Sequence, residues 1–361
     1  MSTRRDMLKA GAALSLALAA PRLAFAQAGF DPQPTGWRTY RVVTRLDLPA
    51  RGKAQAWVPL PSVHADDWIK PAPSTWTTNA VSAEVVRDEK YGAEMLHLVF
   101  ADGEAAPSAE VTSIFASQDR AAGAAAAATL TPAERALYLE ATELMPTDGI
   151  VRETSDKITT KATTDADKAR AIYEWVVDNT FRNAATRGCG TGDIASMLRS
   201  GNLSGKCADL NALYVALARA AGIPARDVYG IRVAPSRFGY KSLGAGSANV
   251  TKAQHCRAEV FLADRGWVPV DPADVRKVVL EEPPGKNAVD APKVVAAREK
   301  LFGAWEGNWL AYNTAHDLTL PGSAQKVAFL MYPQAEVAGA LLDCLDPDTF
   351  RYTITATEVS A

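Results

Sequence analysis

Between Ser204 and Pro224 the chain carries a helical pattern whose first residue is a cysteine, and this stretch constrains the rest more than any other. Cys207, Leu210, Leu213, Tyr214, Leu217 and Ala220 recur at helical spacing and predict one apolar face. Gly222 closes the run ahead of Ile223-Pro224, a glycine stop followed by a residue that cannot continue a helix. Cys207 therefore falls in the first turn, where backbone N–H groups lack helical partners and the dipole favours an anion. A thiol is a strong nucleophile only as thiolate, and a helix N-terminus beside an imidazolium lowers its pKa. A cysteine on a helix without such partners is inert packing.

The partners lie downstream. Residues 226–233 read as a strand, and residues 235–251 form a Ser/Gly/Asn-rich connection long enough to be a lid. Two runs follow, His255 to Phe261 and Trp267 to Asp271, and they predict a hairpin turning at Ala263-Asp264-Arg265. Such a hairpin sets His255 and Asp271 opposite, or one register apart, on the same side of the sheet. The aspartate can then hold the imidazole tautomer and stabilise its cation, as the third member of a triad does. Cys256 directly follows the histidine, points to the other face, and reads as core packing. His316-Asp317 is a rival base without comparable surroundings.

With 361 residues and 48% hydrophobic content the chain can bury a large core, and its length suggests two domains. Residues 1–28 read as an export signal: paired arginines at Arg4-Arg5, an apolar run from Ala10 to Ala20, and Ala24-Phe25-Ala26 or Ala26-Gln27-Ala28 as cleavage site. The apolar run is too short to span a bilayer. Thr-Arg-Arg-Asp-Met-Leu-Lys is similar to twin-arginine signals, which implies a periplasmic or secreted protein with no membrane span after cleavage. Cleavage removes three net positive charges and takes the net charge from −2 to about −5. Residues 29–120 alternate with period two (Tyr40, Val42, Leu46 and Leu48 against Arg41, Arg45 and Asp47) and predict a small β-sandwich with no chemistry of its own. His97 within it reads as structural. Residues 121–130 are an alanine-rich boundary, and residues 131–361 form the second domain with a C-terminal extension.

In that second part, Thr131-Pro132-Ala133-Glu134 is a capping-box helix start. Another helix begins near Thr164 and presents Ala171, Ile172, Trp175 and Val176. Phe302, Trp305, Trp309 and Tyr312, spaced three, seven and ten apart, form either a core seam or an aromatic groove wall.

Net charge −2 and the absence of any basic run argue against nucleic acid. The four cysteines, Cys189, Cys207, Cys256 and Cys344, form no Cys-x-x-Cys pair, and no Asp-x-Asp-x-Asp loop occurs, so no metal or cofactor is expected. Export of already folded protein makes disulfides less expected than a periplasmic address alone implies.

Gly205-Lys206-Cys207-Ala208-Asp209-Leu210, His255-Cys256-Arg257-Ala258-Glu259 and Gly266-Trp267-Val268-Pro269-Val270-Asp271-Pro272 together resemble the bacterial transglutaminase-like superfamily. The resemblance is strong over residues 131–277, and residues 29–120 are similar to a domain that precedes such catalytic domains. It implies an α+β, papain-like core in which a cysteine helix packs on an antiparallel sheet. Cys207 would be the nucleophile, His255 its base and Asp271 the orienting acid. Many relatives have an aromatic residue where this chain has Arg257, which leaves open what packs behind the triad. The Cys207 N–H would be one oxyanion donor, with residues 187–193 a weak candidate for the second.

The implied chemistry is attack on an amide to give a Cys207 thioester, resolved by water (a cysteine protease or amidase) or by an amine (a transglutaminase). The substrate would be a protein or peptide, including peptidoglycan stem peptides; the oligomeric state is not legible. The reading of another class is a non-catalytic cell-envelope module that binds peptide or peptidoglycan on a retained fold.

Overall fold

The computed structural model describes residues 29–49, 52–123 and 128–359, so the export-signal reading of residues 1–28 lies outside the described residues. In strand Arg38–Asp47, Tyr40, Val42, Thr44 and Leu46 are buried while Arg41, Arg45 and Asp47 are exposed, the alternation of a half-covered sheet. It pairs antiparallel with Ser108–Ser117 on one side and with Arg351–Val359 on the other. Ile69–Pro71 and Thr75–Thr78 extend this sheet. A second sheet runs in the order Ala340–Leu341, Gln334–Val337, Ala54–Pro59, Glu94–Val99, Ser82–Arg87. Leu46 and Val111 from the first sheet and Val58, Leu98 and Val337 from the second share one apolar core, so the two form a sandwich.

Both sheets take strands from the two ends of the chain. Gln334–Val337 lies on Ala54–Pro59, and Arg351–Val359 covers the edge of Arg38–Asp47. A division at residues 121–130 therefore does not separate the strands of the sandwich from the rest. His97 stacks on Trp57 at 5.4 Å and bonds Gln55 at 3.0 Å, within the sheet.

Seven helices occur among the described residues: α1 (Pro132–Leu137), α2 (Gly149–Thr159), α3 (Asp165–Asn179), α4 (Ile194–Ser200), α5 (Cys207–Ala220), α6 (Pro272–Glu281) and α7 (Pro292–Lys300). Thr131 with Glu134 and Thr164 with Asp167 form capping boxes that start α1 and α3. Every residue of α5 except Asp209 is buried, as befits a helix enclosed on all sides. Its end is a Schellman motif: Gly222 at φ +83° follows Ala221, Ile223 N–H donates to Ala218 O at 3.0 Å, and Gly222 N–H to Arg219 O at 3.0 Å.

A four-stranded antiparallel sheet, ordered Gly266–Val270, Gln254–Leu262, Ala225–Arg232, Trp309–Asn313, carries α5 on one face. Leu210, Leu213 and Leu217 of α5 share a core with Cys256, Ala258 and Val260, the alternate residues of the histidine strand. The mixture of helices and antiparallel sheets is the α+β arrangement expected.

One open alternative is decided and one expectation needs correction. Trp305 and Trp309 lie on separate short strands, Ala304–Trp305 and Trp309–Asn313. Trp305, Trp309 and Tyr312 are buried with Trp68, Tyr40 and Phe115 where the sheet meets the sandwich, whereas Phe302 packs apart on Tyr173 at 5.4 Å. They are core, not a groove wall. Residues 235–251 are no free lid either: Val250 N–H donates to Ile354 O at 2.8 Å and Ala356 N–H to Ala248 O at 2.9 Å, with Tyr240 and Leu243 buried. At Gly244 a side chain would meet Ser236 N at 2.3 Å, so the connection is folded tightly on itself.

Candidate active site

Cys207 opens α5 beneath a cleft of about 580 Å³ lined by Cys189, Cys207, Gln254 and His255. Asp209, two residues on, fixes the surroundings. Its carboxylate accepts Lys206 N–H at 2.9 Å and Thr191 and Gly192 N–H at 3.0 Å each, clamping residues 187–193 onto the helix start. A Cβ at Gly190 (φ +99°) would collide with that carboxylate, so the position is closed to other residues. Cys189 O in turn accepts Ala208 N–H at 2.9 Å.

The hairpin turns where expected, with Leu262 opposite Gly266 and Ala258 opposite Val270, but this register sets Asp271 level with Arg257, two residues along from His255 rather than opposite it or one register apart. Asp271 follows the last rung as the N-cap of α6, ahead of Pro272, and its side chain accepts Asp274 N–H at 3.0 Å. His255 Nε2 meets Asp271 Oδ2 at 2.7 Å and stands 3.4 Å from Asp274 Oδ2. With Nε2 so engaged, Nδ1 is the nitrogen left for the thiol. Asn211 of α5 ties the parts together: its Nδ2 donates to Cys256 O at 2.8 Å and Asp271 Oδ1 at 3.1 Å, and its Oδ1 accepts Ala273 N–H at 3.2 Å.

Burial and the Arg232 charge oppose protonation of His255, and Asp274 and Asp271 outweigh them, taking its pKa up to about 9. The Cys207 thiol is held well below the usual thiol range, by hydrogen bonds from the Cys189 and Cys256 thiols and, against burial, by His255. Cys189 and Cys256 are pushed up correspondingly. Both shifts favour a thiolate beside an imidazolium. Of the two carboxylates, burial and Asp274 raise Asp271, while Arg232 and then His255 overcome burial and keep Asp274 well below the ordinary range. Arg232 bonds Asp274 at 2.5 Å.

Behind Asp271, where many relatives are aromatic, Arg257 lies 4.7 Å over the Trp309 ring and 5.3 Å over that of Trp305, with Nε 3.7 Å from Asp271 Oδ2. Burial, then Arg232, lowers its pKa to about 10, so it stays cationic at neutral pH. The position is filled by a cation that itself rests on two indoles.

His255, Asp271 and Asp274 present ligand atoms within 4.8 Å of one another. Those atoms are already engaged by the histidine–aspartate bond, Asn211 and Arg232, so the group reads as an ion-pair network. All four cysteines are free thiols. Cys256 is buried core, as expected, but on the α5 side, against the Cys207 sulfur. His316 lies in a separate small cavity, bonded to Tyr229 at 3.2 Å, and burial keeps it neutral. Asp274, Arg232, Asn211 and Gln254 were not anticipated; Asp-Pro-Ala-Asp at residues 271–274, an N-cap with a second acid three residues on, was the one signal for Asp274.

The family model described as the transglutaminase-like superfamily matches residues 152–272, a span that holds Cys207, His255 and Asp271. An uncharacterised protein of Haemophilus influenzae is 37% identical over 362 residues, covering 94% of this chain and 97% of its own. A solved candidate cysteine protease of Cytophaga hutchinsonii superposes with TM-score 0.50 at 14% identity, over 90% of this chain and 99% of that one, a likeness of fold alone. The periplasmic domain of TgpA from Pseudomonas aeruginosa, 16% identical over 67% of this chain and 88% of that one, reaches only TM-score 0.34. Residues 152–272 thus form a domain of the transglutaminase-like superfamily, within a chain that an uncharacterised relative matches over nearly its whole length.

Proposed function

We propose that the protein is an exported thiol hydrolase of amide bonds, with Cys207 as nucleophile, His255 as acid–base and Asp271 as its orienting partner. The observation that carries this is a buried Cys207 at a helix start, lining a cleft with a histidine whose far nitrogen is bonded to a buried aspartate at 2.7 Å.

The Cys207 thiolate attacks the carbonyl carbon, and the C–O π electrons move to oxygen. The Cys207 N–H is one donor to that oxyanion. Gln254 is the second: its amide is buried, lines the cleft, and its Nε2 has no protein partner. Within residues 187–193 the Thr191 and Gly192 N–H groups already donate to Asp209 and the Gly190 N–H to Arg187 O, so those three are not free to be the second donor. The intermediate collapses, the C–N bond breaks, and the imidazolium gives its proton to the leaving nitrogen. Water then attacks the thioester, His255 takes its proton, and the C–S bond breaks to restore the thiolate with a carboxylic acid as product.

Water rather than an amine is favoured by the cleft lining. Lys206, Lys252 and Lys277 repel a lysine-type acceptor, which arrives as ammonium at neutral pH, and so lower its concentration in the cleft relative to water. The test is incubation of the exported chain with glutamine-containing peptides, with and without a primary amine, read by mass. Ammonia loss or peptide cleavage without amine incorporation is expected; amine incorporation would make it a transglutaminase. No product from any peptide, with Cys207 alkylated no faster than an unperturbed thiol, would leave a peptide-binding module on the same fold.

A further inference from the structure

The cleft around Cys207 is walled by positive charge. Arg182, Arg187, Lys206, Arg232, Lys252 and Lys277 line it, and no aspartate or glutamate does so among the described residues. The chain carries a net charge of −2, so this is local segregation rather than a basic protein. The counter-charges behind the wall matter first. Arg232 is held by Asp274 at 2.5 Å, Arg182 by Glu281 at 2.7 Å, and Arg187 by Asp343 at 2.5 Å. Three lysines remain. Lys206 and Lys252 enter no ion pair among the described residues, and Lys277 Nζ stands 3.9 Å from Glu281, a carboxylate that Arg182 already engages. The Lys277 side chain is only 18% exposed. An ammonium withdrawn from water without a close partner is costly, and a bound anion would offset that cost.

We propose that the cleft selects acyl donors carrying a carboxylate beside the scissile amide, with Lys277, Lys206 and Lys252 as the counter-charges. The inference rests on the Cys207 reading above and adds the substrate class to it: a peptide with an acidic side chain or a free C-terminal carboxylate next to the bond attacked. Burial, then Arg232, already lowers the Lys277 pKa to about 8, as an unpartnered cation requires.

Two alkylating reagents of nearly equal size test this without a known substrate. Iodoacetate is anionic and iodoacetamide neutral, and modification of Cys207 in the full chain is followed by peptide mass mapping, so other thiols do not confound the rate. The iodoacetate-to-iodoacetamide rate ratio should exceed that of N-acetylcysteine measured alongside by about tenfold at low salt, and fall as salt is added. His255 contributes to that preference, so the lysine variants decide: Lys252→Ala and Lys277→Met should each lower the ratio, and the double variant should return it most of the way to the reference. Should Lys277→Met fold poorly, the exposed Lys252→Ala and the salt dependence carry the test. A ratio equal to the reference, or one untouched by Lys252→Ala and by salt, overturns the proposal. The source of the carboxylate is read from protection against iodoacetamide, comparing acetyl-Gln-Glu-amide, acetyl-Gln-Ala with a free C-terminus, and neutral acetyl-Gln-Ala-amide. Protection by the neutral peptide as strong as by both acids counts against the proposal. Slow reaction with both reagents would instead sink the Cys207 reading, while the ratio still judges the anion site.

Discussion

Replacing Asp271 by asparagine removes one charge from the histidine while keeping the shape of its partner, and the structure gives the size of the effect. The pKa of His255 stands at about 9 instead of the ordinary 6.5, which corresponds to roughly 3 kcal/mol in favour of the imidazolium. Two carboxylates share that work, Asp271 at 2.7 Å and Asp274 at 3.4 Å. Burial and Arg232 oppose them, so the two together supply more than this net amount; losing one takes away at least half of the net shift, and the Asp271→Asn midpoint should fall by at least about one pH unit, to about 8 or below. The sign follows from charge: an imidazolium with fewer anionic neighbours loses its proton more easily. Stability follows the same rule. The native pKa lies above the unfolded one, so the contribution of His255 is complete below about pH 6.5 and is lost as pH rises through about 9. That loss should be smaller in Asp271→Asn.

The assay is an NMR titration of isotopically labelled histidine. The chain has only four histidines, His64, His97, His255 and His316, so a His255→Gln spectrum assigns the resonance. Thermal melts across the same pH range read the linkage. A wild-type midpoint near 6.5, or one that Asp271→Asn leaves in place, would refute the thiolate–imidazolium pair and the mechanism built on it.

Gln254→Ala should lower the turnover of a cleaved peptide about a hundredfold with little change in KM, the signature of a donor used in the transition state; an unchanged kcat in a folded variant removes Gln254 from the oxyanion site. Asn211→Ala breaks three buried hydrogen bonds joining α5, the histidine strand and α6, and should cost about 3 kcal/mol in urea unfolding. A midpoint within error of the parent would show that packing alone holds those elements together. Replacing Arg4 and Arg5 together by lysine should retain the chain in the cytoplasm when cell fractions are blotted, whereas unaltered export would point to the general secretory route.

The site was legible where chemistry repeats locally. The Cys207 helix declared itself by spacing and by its glycine stop, the hairpin by two alternating runs around a three-residue turn, and α1 and α3 by reciprocal caps. The element type of residues 304–313 was not legible because strand Trp309–Asn313 is buried on both faces and so has no alternation to read. Trp305 and Trp309, on separate strands, happen to fall four residues apart. The ion-pair network was hidden for a different reason. Arg232 meets Asp274 across 42 residues of chain, and nothing at either position marks the other. An unpartnered amide such as that of Gln254 exists only as a failure of pairing in three dimensions.

The sandwich illustrates the same limit at larger scale, because it is part of the cleft and not a module placed before it. Leu345, Pro347, Phe350 and Tyr352 line the space above Cys207. They stand at the entry to strand Arg351–Val359, which is paired along Arg38–Asp47 in the first sheet. The same strand takes the hydrogen bonds that pin residues 248–250, and Gly244, Gly246 and Asn249 of that connection form a further part of the lining. The thiol and its histidine are thus set by α5 and the four-stranded sheet, while part of the cleft wall is supplied from the opposite end of the chain. Under the proposed function, chemistry and selectivity rest on different elements, so a change in the last strand or its approach would alter what the cleft admits without touching Cys207, His255 or Asp271.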